Sequence, residues 1–196
     1  MKAIAALAAS ALFAVAANAQ TMNFSWQVSD TGNGDGVIEP GENARLSLWA
    51  SWNSADMFAA SLFNVTNVAN FDTGSIVQAA RPAGLASASP LNGTVMPGNS
   101  IMSIDAFQFP VFINPFADAS NPIKIYEIEW QPADYSDRIV QIASQHTTAA
   151  VYNMFGSSTA MVAAPQGGSF HVVPAPGSVA LLAASGLCTL PRRRKA

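Results

Sequence analysis

Three runs in which every second residue is apolar constrain this chain more than any other feature. Phe24, Trp26 and Val28 alternate with polar neighbours, and Leu46, Leu48, Ala50 and Trp52 do so in a second run. In a third run Tyr126, Ile128 and Trp130 alternate with Glu127 and Glu129. Successive side chains of a strand point to opposite faces, so a period of two buries one face of a sheet and wets the other. Between these runs stand Asn92-Gly93, Pro97-Gly98-Asn99, Asn114-Pro115, Asn121-Pro122 and Gln131-Pro132. Such pairs form turns because Gly accepts positive φ and Pro presets a negative one. Short strands with frequent turns predict a mainly β fold, a single antiparallel β-sandwich of Ig-like or jelly-roll-like type, over residues 20–155. A parallel α/β sheet needs amphipathic helices of ten or more residues, and only Ser54 to Phe63 offers one. Trp26, Trp52 and Trp130 are expected in the core.

Both ends stand apart from this pattern. Lys2 followed by the apolar stretch Ala3 to Ala16 and by Ala17-Asn18-Ala19 has the three regions of a cleavable signal peptide, covering residues 1–19. The stretch is apolar on every side, where a core helix would show a stripe. Signal peptidase would then leave Gln20 as the first residue. At the other end, residues 156–173 shift to Gly, Ser, Ala, Pro and Gln, the composition of a flexible spacer. Beyond them come Val173-Pro174-Ala175-Pro176, an apolar run from Val179 to Leu190, and the cluster Arg192, Arg193, Arg194, Lys195. The run is short for a bilayer core of roughly 30 Å, and the basic cluster would hold the extreme terminus in the cytoplasm.

This order of parts in residues 174–196 resembles the PEP-CTERM sorting signal: a Pro-x-Pro motif, a hydrophobic helix containing Ser185-Gly186-Leu187, and an Arg-rich end. Ala175 replaces the family's usual Glu. The resemblance implies an exosortase-type processing enzyme as partner, membrane contact through the C-terminal helix, and delivery to the cell surface or extracellular matrix. Cys188, the chain's only cysteine, lies in the hydrophobic run, so the exported domain has no disulfide.

With both ends set aside, residues 20–173 hold four basic and all twelve acidic residues of the chain, a net charge of −8 against −3 for the whole chain. An acidic surface of this kind repels phosphate backbones and excludes nucleic acid as a partner class.

The densest polar segment runs from Asp30 to Glu42. Asp30, Asn33, Asp35, Glu39 and Glu42 side chains and the Val37 carbonyl offer the oxygens that a calcium ion requires. Their spacing matches most of an EF-hand loop, except that Thr31 stands at the first position and no helix follows. The segment also resembles acidic Asn-Gly-Asp-Gly…Pro-Gly-Glu lead-ins to sandwich modules of secreted bacterial proteins. There the acids either bind calcium or cap a turn, and both readings stand for this chain.

For enzymatic chemistry, Gly-x-Ser-x-Gly and His-Glu-x-x-His are absent. His146 reads as a solvent-exposed turn residue and His171 as part of the spacer. Glu127 and Glu129 share one strand face about 6.7 Å apart. Glycosidase carboxylates face each other across a cleft instead, so a non-catalytic protein is the stronger expectation. Trp49 falls on the polar register with Arg45, Ser47 and Ser51. It is either a glycan contact, which would make extracellular polysaccharide a partner, or a side chain covered by a second layer.

Overall fold

The computed structural model describes residues 20–174. The signal segment 1–19 and the sorting residues Ala175, Pro176, Gly186 and Arg192 to Arg194 lie outside the described residues.

The alternating runs become strands β1 (Thr21–Asp30), β3 (Ala44–Trp52) and β8 (Ile123–Pro132), which pair antiparallel in the order β1-β3-β8. Their shared register sets Phe24 beside Ala50, and Leu46 beside both Val28 and Ile128. The even-numbered residues of β1 from Met22 to Val28 and those of β3 therefore form one apolar face. Strand β5 (Gly74–Ala80) extends this sheet beyond β8. The second sheet is built on β4 (Met57–Ala69) and β9 (Arg138–Tyr152), with β7 (Ile101–Phe107) and β6 (Asn92–Val95) beyond β4. A single helical turn, α1 (Ala83–Ala86), links β5 to β6. The result is the expected sandwich, antiparallel apart from two edge pairings. One joins β1 to β11 (Val162–Pro165) and the other joins β2 (Val37–Ile38) to β12 (Gly168–Val172).

Between the sheets lie Met22, Phe24, Leu46, Leu48, Phe58, Phe63, Tyr126, Ile128 and Trp130, all buried. Each such side chain contributes roughly 1.5–3 kcal/mol by leaving water. Trp52 and Trp130 are core as expected, and Trp26 is half-buried against the core. Phe71 stacks on Trp130 at 5.9 Å between ring centres, and its carbonyl accepts the indole N–H at 2.9 Å.

Three readings are corrected. Ser54 to Phe63 is not a helix, since β4 begins at Met57. Bulges between Phe58 and Ala60 and between Phe63 and Val65 shift its register, so Phe58 and Ala59 are both buried and the period of two is lost. Residues 156–173 are not a spacer. They carry β10 (Ser158–Ala160), β11 and β12, and both Phe170 and Val172 are buried. Gly168 permits this, because a β-carbon there would meet Trp26 Cβ at 2.6 Å. The domain thus runs past residue 155 to Val172. Thirdly, His146 sits inside the sandwich. Its ring stacks on Phe24 at 3.5 Å and Phe63 at 5.0 Å, with Ser61 and Ser144 hydroxyls bonded to its two nitrogens at 2.8 and 2.9 Å. Burial pushes its pKa down to about 3.

Candidate interaction surface

The two ends of the sandwich differ in chemistry. At one end β1 leads into the acidic loop, β8 turns into β9, and the chain leaves the described domain as Val173 N–H donates to the Ile38 carbonyl. The Asp30 carboxylate accepts backbone N–H groups from Gly32, Gly34 and Gly36 at 2.7–2.9 Å. The Gly34 and Gly36 amides hold its carboxyl below the usual carboxylate range. Asp35 Oδ1 accepts from Val37 N–H, Asn33 Oδ1 from Asp35 N–H, and Glu42 Oε2 from Glu39 N–H. Tyr135 pins the loop through Gly41 N–H. The candidate ligands therefore cap one another's amides. Among the described residues, no group of three or more His, Cys, Asp or Glu side chains converges as a metal site.

Glu127 and Glu129 do share the outward face of the first sheet. Glu127 accepts from Lys124 at 2.6 Å and Glu129 from the Asn43 amide at 2.7 Å, so each is paired with a neighbour on an open face. Trp49 lies on the same face, half-buried between Ser25 of β1 and Lys124 of β8, with its indole N–H covered and unpartnered. That N–H is not available to a sugar hydroxyl. His171 is in β12, bonded to Asp137 at 2.5 Å.

The other end is apolar. It is formed by residues 108–122 between β7 and β8, residues 53–56 between β3 and β4, and residues 153–157 between β9 and β10. Phe112, Phe116, Met154 and Phe155 are 67, 87, 85 and 78% exposed, and Phe109, Val111 and Ile113 are exposed beside them. A cleft of about 380 Å³ lies between the loops, lined by Met57, Pro110, Val111, Phe112, Tyr152 and Met154 among others. Among the described residues, no carboxylate or basic group lines it.

This apolar end is held by polar groups turned the other way. The Gln108 amide is buried; its Nε2 donates to the Phe58 and Asp118 carbonyls and its Oε1 accepts the Asp118 N–H, closing the neck of the loop. Asn121 clamps Trp52 through both its N–H and carbonyl. The Pro110 carbonyl accepts from Ile113 and Asn114 N–H groups, and the Asn114 side chain accepts from Phe116 N–H. In the facing turn Asn153 accepts from the N–H groups of Phe155 and Ser157. Gln108 thus satisfies the backbone from the buried side, Asn121 does so at Trp52, and Asn114 and Asn153 cap its exposed turns, while large apolar side chains face water.

Sequence reasoning missed this site, although one signal was present. The segment Phe109-Pro110-Val111-Phe112-Ile113-Asn114-Pro115-Phe116 is too interrupted by proline for a central strand or a helix. An apolar run that can form neither has few ways to be buried.

No protein-family model matches the chain, and no curated protein matches it. Its likenesses are to solved structures. The cohesin module of a family 33 glycoside hydrolase from Clostridium perfringens is 12% identical, with 80% of this chain and 99% of that one covered and a TM-score of 0.52. The seventh ScaB type I cohesin from Pseudobacteroides cellulosolvens is 9% identical, with coverages of 89 and 97% and a TM-score of 0.58. A type I cohesin from Clostridium thermocellum, solved in a cohesin–dockerin complex, is 5% identical, with coverages of 80 and 95% and a TM-score of 0.50. At these identities the likeness is one of fold, and function rests on the site.

Proposed function

We propose that this chain is an exported, non-catalytic binding protein of the cell surface or extracellular matrix, sorted by an exosortase-type enzyme and acting through its apolar end. The observation that carries the binding role is the inverted loop, in which buried Gln108 fixes a backbone that turns Phe112, Ile113 and Phe116 into water. Contiguous apolar surface of this kind costs solubility and marks contact sites on folded proteins. Pre-ordering the loop removes part of the entropy cost of binding. A protein partner suits the fold as well, since the Clostridium thermocellum cohesin of similar fold is held in complex with a dockerin. The cleft suits an apolar contact: among the described residues its lining is apolar apart from the Tyr152 phenol and Asn153, with no carboxylate, imidazole, amine or thiol.

Sorting is tested by intact mass of the protein recovered from cell envelope and culture fluid. The expected product begins at Gln20 and ends between Val173 and Pro176; a chain that keeps Arg192 to Lys195 in the membrane is instead tail-anchored. Binding is tested with Phe112→Ser/Met154→Ser. The variant should be processed and fold as the parent does, yet be lost from the envelope or matrix. Equal retention would remove the binding role of this end.

A further inference from the structure

Resting on that reading of the apolar end, we propose that its occupant is an apolar segment of another exported protein, flanked by Lys or Arg. Three observations select this occupant over the alternatives.

The first is charge. Loops 53–56, 108–122 and 153–157 contain no Lys, Arg or His, while Asp56 and Asp118 stand beside the cleft residues Ala55, Met57 and Ala119. Lys124, just past the loop, is already paired with Glu127. A second copy docking end to end would bring the same two acids against themselves. An anionic lipid surface would meet a domain of net charge −8 with no basic residue in the three loops of the approaching end. A segment with basic flanks meets the acids with opposite charge, which favours both encounter and register.

The second is position. Strand β9 spans 15 residues, roughly 50 Å, between the two ends of the sandwich. The chain departs towards its C-terminal segment from the end opposite the apolar one, where Val173 bonds to Ile38. Attachment through the processed C-terminus would point the apolar end away from the point of attachment, towards neighbouring proteins.

The third is shape. The cleft suits one or two large apolar side chains, with Tyr152 in its wall. Phe112 is held at its mouth by Gly156, where a β-carbon would come within 2.2 Å of the ring. A rigid slot between exposed aromatic side chains is the form that anchors a short segment by a buried hot spot.

The test uses the protein recovered from culture fluid and two synthetic amphipathic helical peptides with the same Leu/Phe face. One peptide carries Lys at both ends and the other Glu. The Lys-flanked peptide should bind about ten-fold more tightly at low salt, and the gap should narrow as salt rises. Phe112→Ser should lose both peptides, while Asp56→Asn/Asp118→Asn should keep apolar binding and lose the preference. Equal affinity for the two peptides overturns the proposal. So does binding to phosphatidylcholine or phosphatidylglycerol vesicles, or self-association by sedimentation, where Phe112→Ser abolishes it; both outcomes leave the apolar end as a contact site. Absence of every one of these interactions overturns the parent reading as well.

Discussion

The ring of Phe112 rests on the backbone of Gly156, so close that a β-carbon at position 156 would lie 2.2 Å from its Cε1. Gly156 also has φ of +76°, a region in which side chains other than Gly are strained. Gly156→Ala is therefore expected to cost about 1 kcal/mol or more and to displace the ring. Partner binding should fall by more than the stability loss explains, because the fold stays populated while the aromatic wall of the cleft moves. Calorimetry beside a binding isotherm separates the two effects.

Gln108 makes three hydrogen bonds from a buried position, and leucine there would leave the Phe58 and Asp118 carbonyls and the Asp118 N–H without it. Gln108→Leu should destabilise the protein by about 2–3 kcal/mol. Amide hydrogen exchange should rise across residues 109–121 while β3, β4 and β8 stay protected. Uniform loss of protection across both sheets would show that the loop is not separately held.

His146 makes stability depend on pH in a definite direction. Its folded pKa, pushed down to about 3 by burial, lies below the ordinary 6.5. The unfolded chain therefore takes up the proton first as pH falls. The contribution is complete above pH 6.5 and is lost progressively towards pH 3, with a slope approaching about 1.4 kcal/mol per pH unit. Urea midpoints measured between pH 7 and 4.5 should fall in the wild type and flatten in His146→Gln. Asp30 and Asp134, whose pKa values are lowered, lose their contributions only below the ordinary 3.8, outside this window.

Much of the first sheet is legible in the chain because β1, β3 and β8 each present one face to the core and one to water. The second sheet is less so, for reasons its residues supply. Bulges in β4 bury Phe58 and Ala59 in succession, and β12 is short, beginning at Gly168 and resting on Trp26 through a missing side chain. His146 reads as a polar turn residue because only the tertiary structure brings Ser61, Ser144, Phe24 and Phe63 around it. The apolar end was hidden by its prolines and asparagines, which signal turns correctly but do not say which side chains a turn exposes.

The acidic loop is a further case in which residue types admit two readings, and two measurements separate them. Asp30 caps three glycine amides, so Asp30→Ala should lower the melting temperature in the absence of any metal. If the acids serve only as caps, chelation with EDTA leaves the wild-type melting temperature unchanged. A calcium-dependent rise, lost in Asp30→Ala, would show instead that the loop rearranges around a cation.

Met154 provides the most direct test, because this residue is 85% exposed at the apolar end while Met96 and Met102 are exposed at 45 and 39% on the β6–β7 hairpin. Methionine oxidation follows exposure. Peroxide treatment of the purified protein, and of the protein in its native envelope or matrix, should oxidise Met96 and Met102 at similar rates in both. Met154 should be oxidised rapidly when the protein is free and be protected in place. Equal oxidation of Met154 in both settings would show that nothing covers the apolar end where the protein resides, and would contradict its role as the binding surface.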